Sequence, residues 1–346
     1  MPAARLLALA TALPPHRFSQ EEARAAAAEA LARDHPDLER LLSVFGHAGI
    51  AQRWSARPLA WHAAGPSFAR RNAAFLEAAD ALLVTASAQA LARAGIDAAA
   101  VDHVVTVCST GIATPSLEAR LAARLPLRPD VLRTPIFGLG CGGGVMGLGR
   151  AAALARAEPG SHVLLLVVEL CTLALRLGDR SRANLVACAL FGDGAGAAVI
   201  STTGAGPALR ATGEHRWPET LDVMGWTVED DGLGVLFSVR VPEIVRERMG
   251  AATEAFLARH ALALNSIDRW ISHPGGAKVI QALEQALRLP RDALDDARAV
   301  LRDCGNMSAA SVLFVLERAL AAPGWRRGLM TAMGPGFSAS FALLER

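Results

Sequence analysis

Residues 138–144 read Gly-Leu-Gly-Cys-Gly-Gly-Gly, and an apolar, alanine-rich run from Val145 to Ala157 follows them directly. The run predicts a helix, so the one cysteine of the stretch, Cys141, stands where that helix begins. Glycine lets backbone and substrate approach closely. Free N–H groups and the positive end of a helix dipole favour a thiolate. The stretch therefore predicts a reactive thiol in a turn between a strand and a helix.

The rest of the chain alternates strand-like and helix-like segments, which is typical of an α/β protein. Helices are expected over residues 22–33 and 72–94, and strands over 101–107, 162–169 and 195–202. The expected strand over 162–169 is almost wholly apolar, which indicates that both of its faces are buried.

A weak internal repeat is visible in the second half of the chain. A helix is expected over 252–264 and a strand over 266–272. Gly305-Asn306 then opens a helix from Ser308 to Ala321, much as Gly140-Cys141 opens its own. Two similar halves would place Cys141 and Asn306 at equivalent helix starts, facing one cavity. The turn-rich break Gly204-Ala205-Gly206-Pro207 divides the halves into residues 1–204 and 205–346.

Composition excludes several classes of protein. The chain has 346 residues, of which 52% are hydrophobic and 20% charged, and its net charge is +2. This balance is ordinary for a globular enzyme and indicates no nucleic-acid partner. The five cysteines include no C-x-x-C pair, so neither a zinc site nor a disulfide framework is expected. A reducing compartment, the cytoplasm, fits this pattern.

The first residues, Met1 to Pro14, have two readings. Arg5 followed by an apolar stretch fits a short secretory signal, and it fits a first buried strand equally well. No run reaches the roughly 18 apolar residues of a membrane span, so none is expected.

Two further segments complete a chemical set with the cysteine: Trp270-Ile271-Ser272-His273-Pro274-Gly275-Gly276 and Cys304-Gly305-Asn306-Met307-Ser308. The order Cys, His, Asn resembles the thiolase-like condensing enzymes, and among them the type III polyketide synthases, the chalcone-synthase-like family. The resemblance runs through six segments in order: 108–116, 138–144, 191–195, 273–276, 305–308 and 333–337.

This resemblance implies a thiolase-like fold with two similar halves in a layered αβαβα arrangement, and a homodimer. It also implies roles for three residues. Cys141 is the nucleophile, because a thiolate both attacks thioesters and leaves again. His273 is the base and an oxyanion donor, and Asn306 is a second donor to the enolate that decarboxylation of malonyl-CoA produces.

Further positions follow from the same resemblance. Phe191 and Val235 occupy two gate positions between the CoA tunnel and the cavity, and Ala174, Trp226 and Ser308 occupy positions that shape the cavity. Ser109, Thr114 and Gly336 also belong to the substrate cavity, with Thr114 reaching towards that of a partner subunit.

The CoA phosphates should meet basic side chains, and Arg40 and Lys278 are the candidates by family position. Two other family basic positions read Ser43 and His47, so the phosphate site differs in part.

The resemblance implies an acyltransferase that extends an acyl-CoA starter with malonyl-CoA. CoA thioesters are its substrates, and no bound cofactor or metal is expected. Val235 and Ala174 are smaller than their plant counterparts, which favours a medium or long aliphatic starter and an alkylpyrone or alkylresorcinol-type product. One alternative is a ketoacyl synthase III-like enzyme that uses an acyl-carrier protein. Another is dinucleotide binding through Gly138-x-Gly140-x-x-Gly143 with Glu169, which leaves His273 and Asn306 unexplained.

Overall fold

A computed structural model describes residues 2–31, 38–176 and 178–346, the side chains of residues 30, 31 and 38–41 excepted. Its strands are β1 (Ala4–Ala12), β2 (His16–Ser19), β3 (Gln52–Ser55), β4 (His103–Cys108), β5 (Leu132–Phe137), β6 (Val163–Leu170), β7 (Asp193–Ser201), β8 (Ala208–Arg216), β9 (Met224–Glu229), β10 (Gly232–Phe237), β11 (Arg269–Ser272), β12 (Arg327–Gly334) and β13 (Ser338–Glu345).

The α-helices are α1 (Gln20–Leu31), α2 (Leu38–Gly46), α3 (Leu59–Ala63), α4 (Phe68–Ala94), α5 (Leu117–Leu121), α6 (Gly143–Ala157), α7 (Cys171–Ala174), α8 (Arg182–Leu190), α9 (Val241–Ala258), α10 (Ala277–Leu287), α11 (Asp295–Cys304) and α12 (Ser311–Ala321). Short 3₁₀ turns cover Ala98–Ala100, Gly140–Gly142, Leu264–Ser266 and Ser308–Ala310.

Nine strands hydrogen-bond in the order β11-β12-β13-β8-β1-β7-β6-β4-β5. β1 and β8 pair at Ala4–Leu209 and Arg5–Ala208, near the start of each strand. This short junction joins a sheet from the first half of the chain to a sheet from the second half. The segment with two readings at the N-terminus is therefore a strand at the centre of the molecule, paired with β7 along most of its length.

The two sheets follow the same plan. β4 and β6 are parallel, as are β11 and β12. β6 pairs antiparallel with β7, as β12 does with β13, and the outer partners β1 and β8 are antiparallel again. Within the described residues, β5 has no counterpart in the second half. The repeat expected from the sequence is thus a repeat of strand order and direction.

Two helices form the central layer between the sheets. α6 contacts β4 and β6 on one side and β8 and β13 on the other. α12 contacts β1 and β7 as well as β11 and β12. α4 covers the outer face of the first sheet, and α9, which packs on α10, covers β13 of the second. These layers are the αβαβα arrangement of the thiolase-like fold, so the predicted fold is confirmed.

Burial on both faces explains why the central strands are so apolar. Every residue of β6 is buried, including Glu169. α4 is long and apolar enough to cross a membrane by length and composition, but 56% of its apolar window is buried inside the protein. Its contacts with β1, β6 and β7 account for this apolar face.

Two helices differ from the sequence-based expectation. α9 begins at Val241 instead of residue 252 and ends at Ala258, because Pro242 sits in its first turn, where a missing N–H does no harm. The helix expected from Ser308 starts as a 3₁₀ turn, and α12 follows it.

Candidate active site

Cys141 lies in the 3₁₀ turn that leads into α6, as the sequence predicts. Gly140 has φ +46°, and a Cβ built there would lie 2.6 Å from Cδ of Pro335. The Gly140 N–H donates to Oγ of Ser109 at 3.0 Å. Only glycine fits this turn, which holds Cys141 between the first sheet and the 335–337 loop.

The start of α6 also touches the second half of the chain. A Cβ on Gly144 would clash with the Ala309 carbonyl oxygen, in the turn that precedes α12. Without that Cβ, the two helix starts approach backbone to backbone. This contact brings the turn that carries Cys141 next to the turn that follows Asn306.

His273 follows β11, and its N–H donates to the Thr331 carbonyl on the adjacent strand at 2.8 Å. The side chain is 3% exposed. Neither ring nitrogen has a hydrogen-bond partner among the residues that the structure describes. A buried polar group without a partner is costly, so this imidazole is available to bind a ligand in the cavity that it lines.

Asn306 is held by its backbone and by its side chain. Its N–H donates to the Leu190 carbonyl at 2.8 Å, and its carbonyl accepts from the Gly192 N–H at 3.0 Å. Its Oδ1 accepts from the Ser308 N–H at 2.9 Å, and its Nδ2 donates to the Gly275 carbonyl at 3.3 Å. Nδ2 carries two hydrogens and donates one of them to Gly275. The side chain also hydrogen-bonds Cys141, which favours the thiolate.

One cavity contains all three side chains; we call it the inner cavity. Its described lining comprises Gly140, Cys141, Cys171, Phe191, Met224, Gly225, Trp226, Val235, Leu236, Phe237, Val241, His273, Gly275, Val279, Asn306, Ser308, Met333 and Pro335. Most of this lining is apolar. The Phe191 and Trp226 rings pack edge to face, with 6.2 Å between their centroids. The free volume of the inner cavity is about 50 Å³, room for a few water molecules.

A second cavity adjoins the first; we call it the outer cavity, of about 580 Å³. It shares Phe237, Gly275 and Val279 with the inner cavity. Its further lining is Ser43, Val44, His47, Ala48, Arg182, Ala183, Leu185, Val186, Leu190, Ser238, Val239, Pro242, Gly276, Ala277 and Lys278. Lys278, one of the two CoA candidates, thus lines the outer cavity. Arg40 belongs to α2, but its side chain lies outside the described residues.

Several predicted cavity residues have other positions. Ala174 is buried in the one-turn helix α7, where Cys171 lines the inner cavity in its place. Ser109 supports the Gly140 turn from behind, and the Gly336 carbonyl accepts from Oγ1 of Thr220 at 3.1 Å. Thr114 is exposed at the surface. Among the described residues, none of these four lines the inner cavity.

Burial dominates the electrostatics of the pair Cys141 and His273. It raises the pKa of the Cys141 thiol to about 12 and lowers the pKa of the His273 imidazole to about 3. Each charge alone is therefore disfavoured. A thiolate and an imidazolium formed by one proton transfer carry no net charge and attract each other, which offsets part of the desolvation cost.

The sequence reading did not give Glu169 a part in the site. Its Oε2 accepts from the Ser109 N–H at 3.1 Å and from Oγ1 of Thr110 at 2.7 Å. Oγ of Ser308 lies 3.5 Å from Oε1. Burial raises the pKa of this carboxyl to about 8, so it is largely protonated at neutral pH. A lone acidic residue at the end of an apolar strand was the available signal.

Arg53 was also missed. It is 2% exposed and donates to the carbonyls of Cys188 and Phe191 at 2.6 and 2.9 Å. A Cβ on Gly305, where φ is +71°, would lie 2.8 Å from its Cγ. Arg53 therefore supports the two segments that carry Phe191 and Asn306. No sequence signal marks it, because its partners are backbone carbonyls.

Comparisons with known proteins agree with this geometry. The family model for the N-terminal domain of chalcone and stilbene synthases matches residues 2–207, and that for the C-terminal domain matches residues 209–344. A 1,3,6,8-tetrahydroxynaphthalene synthase of Streptomyces peucetius is 43% identical over 98% of this chain and 92% of its own. A putative chalcone synthase of Bacillus subtilis is 35% identical over 98% of both chains.

The structural comparison gives the same result. The crystal structure of 1,3,6,8-tetrahydroxynaphthalene synthase from Streptomyces coelicolor, a bacterial type III polyketide synthase, superposes with a TM-score of 0.94. The match covers 99% of both chains at 28% identity.

The pKa shifts give a test of the predicted ion pair. If His273 takes the thiol proton in the wild type, iodoacetamide should alkylate Cys141 already near pH 6. In His273→Ala the thiol loses this partner while burial still raises its pKa, so alkylation at pH 7 should fall by about 10²-fold or more, then rise tenfold per pH unit. Rates are followed on the Cys141 peptide by mass spectrometry from pH 6 to 10. Superimposable pH profiles would exclude the ion pair.

Proposed function

Because the chain belongs to the family of chalcone and stilbene synthases, the type III polyketide synthases, we propose that it builds a polyketide from CoA thioesters on Cys141. The observation that carries this proposal is the shared cavity: Cys141, His273 and Asn306 line one buried space that adjoins an outer cavity lined by Lys278.

The first step is loading. The Cys141 thiol gives its proton to His273, and the thiolate attacks the carbonyl carbon of the acyl-CoA. A new carbon–sulfur bond forms to Cys141, the bond to CoA breaks, and the CoA thiolate leaves with the proton from His273. The apolar walls exclude water, which would otherwise hydrolyse the acyl-enzyme.

The second step is condensation. Malonyl-CoA loses CO₂, and the electron pair of the broken carbon–carbon bond becomes an enolate on the thioester. His273 and the free N–H of Asn306 donate hydrogen bonds to the enolate oxygen. The enolate carbon then attacks the acyl group on Cys141, a carbon–carbon bond forms, and the Cys141 thiolate leaves. The product is a CoA thioester longer by two carbons, which can load again and finally cyclise.

The starter that the geometry supports best is a short acyl group, such as malonyl or acetyl. Trp226 contacts Phe191 at the inner cavity, and the free volume is only about 50 Å³ with the side chains in these positions, which favours a small starter. The product in the name of the Streptomyces peucetius relative carries no alkyl chain, which supports the same inference.

A medium or long aliphatic starter is the second candidate, with an alkylpyrone or alkylresorcinol-type product. Val235 at the gate position and the apolar lining favour it. It requires the indole of Trp226 to turn away from Phe191. Ala174, the other residue on which this prediction rested, is not among the described residues that line the inner cavity. It therefore does not support a long starter.

We also propose a homodimer that covers the β5 edge of the first sheet. Leu132 and Phe137 of this strand are 54% and 59% exposed, and Ile112 of the neighbouring 108–116 segment is 50% exposed. Exposed apolar edge strands invite pairing. Glu118, beside β5, is 1% exposed, yet neither carboxylate oxygen has a partner in the described part of the chain.

Three further predictions stay proposals: the division into two halves, the cellular location and the carrier that delivers the starter. The division into 1–204 and 205–346 is supported by the repeat in strand order. A cytoplasmic location is supported by the five cysteines, which are all free. Delivery of the starter on CoA, instead of on an acyl-carrier protein, is supported by the family.

The function is tested by separating its two steps. After brief exposure to acetyl-CoA, the acyl group should be found on the Cys141 peptide in the wild type and in Cys171→Ala, the matched variant of the other cavity cysteine. It should be absent from Cys141→Ala. Asn306→Ala should keep acylation but lose malonyl-CoA decarboxylation by about 10²- to 10³-fold, because one oxyanion donor is missing. Full labelling of Cys141→Ala, or undiminished decarboxylation in Asn306→Ala, would refute the roles.

The starter is tested by comparing kcat/KM for acetyl-, hexanoyl- and decanoyl-CoA, and for malonyl-CoA alone. The wild type should prefer the short starters. Trp226→Gly should shift the preference to longer chains, since each buried methylene is worth about 0.8 kcal/mol, roughly fourfold. Adding Val235→Phe to that variant should reverse the shift. A wild type that already prefers decanoyl-CoA would favour the aliphatic candidate instead.

For the homodimer, light scattering at micromolar concentration should give twice the monomer mass. Leu132→Asp with Phe137→Asp should give monomers, because two charges would be buried without partners. Val228→Asp is the control, since Val228 is 88% exposed on the separate ribbon of β9 and β10. A monomeric wild type would contradict the proposal.

A further inference from the structure

The outer cavity has a positive lining. Arg182 and Lys278 line it, and no Asp or Glu occurs among its described lining residues. Arg182 and Lys278 are both exposed. Within the described part of the chain, neither is part of a recorded ion pair or hydrogen bond, whereas neighbouring Arg176 pairs with Asp179 and Asp231. Two free cations in one apolar-walled cavity favour an anionic ligand.

The local fold fixes where Arg182 stands. It is the first residue of α8, and Oγ of Ser181 caps this helix by accepting from the Asn184 N–H at 3.2 Å. The Asn184 amide donates to the carbonyls of Arg176 and Asp179, both at 2.8 Å. The segment before Arg182 is thus tied back to its own helix. The guanidinium therefore projects from a supported backbone, which lowers the entropy lost on binding.

Among the described lining residues of the outer cavity, α2 and the residues just after it contribute no lysine or arginine. Ser43 stands at one of the family's basic positions and His47 at another. Nδ1 of His47 lies 2.8 Å from the Ser43 carbonyl. A carbonyl only accepts, so Nδ1 carries the proton and Nε2 is left as an acceptor in the neutral ring. Among the described lining residues, the fixed positive charges therefore come from Arg182 and Lys278.

We propose that Arg182, in the lining of the outer cavity, binds the phosphates of CoA together with Lys278. This inference rests on the proposed use of CoA thioesters. An arginine fork can hold a phosphate through two parallel N–H···O bonds. Arg182 contacts only the carrier part of the substrate, so it controls KM and leaves the chemistry unchanged.

The test compares Arg182→Gln with Arg180→Gln, an exposed arginine two residues away that is not among the residues lining the cavity. Each variant is assayed with malonyl-CoA and with the N-acetylcysteamine thioester of malonate, which has no phosphate. Arg182→Gln should raise KM for malonyl-CoA about three- to tenfold, with kcat unchanged. KM for the phosphate-free thioester should not change, and Arg180→Gln should behave like the wild type.

Binding of free CoA, measured by calorimetry, keeps the inference testable if the enzyme turns over neither thioester. In that case the proposed function fails, but Arg182→Gln must still weaken CoA by the same factor. Unchanged CoA affinity would overturn the inference. So would an equal KM rise for both thioesters, or an equal effect of Arg180→Gln. Unchanged melting temperatures establish that both variants are folded.

Discussion

The active site depends on one close contact between backbones. Gly144 at the start of α6 lies against the Ala309 carbonyl in the turn before α12, at a distance that no Cβ allows. The two helices belong to different halves of the chain. Cys141 precedes α6, and Asn306 precedes α12. The contact therefore sets the separation of nucleophile and oxyanion donor. His273 is positioned by β11 and β12 of the second sheet. His273 and Asn306 thus belong to the second half of the chain, and Cys141 belongs to the first.

Low polarity is the second constraint on the chemistry. Burial shifts the pKa values of Cys141, His273 and Glu169 towards their neutral forms. A charged group is then stable only where a group of opposite charge or a hydrogen-bond donor already lies next to it. In the proposed mechanism, this partner is the imidazolium during loading and the pair of N–H donors during decarboxylation. The same walls that make a lone charge unfavourable strengthen each of these interactions once it forms.

The sequence predicted the fold, and the three residues that it singled out, Cys141, His273 and Asn306, line one cavity. Glycines before a helix and the short motifs around Cys141, His273 and Asn306 are local patterns. Such patterns can be recognised in a sequence without knowledge of the fold. The remaining features depend on contacts between distant segments. Arg53 binds backbone carbonyls, which leave no trace in residue types, and Glu169 is recognisable only as an acid that ends an apolar strand. Ala174 was expected in the cavity wall, but in a single helical turn a shift of three residues exchanges it for Cys171.

Trp226 and Val235 are direct cross-strand partners in the ribbon of β9 and β10, so their side chains lie on the same face. Both line the inner cavity, while the ribbon takes no part in the nine-stranded sheet. The width of the cavity thus depends on a pair of facing side chains outside the nine-stranded sheet. Substitutions at this pair should change the size of the accepted substrate without disturbing the strands and turns that hold Cys141, His273 and Asn306.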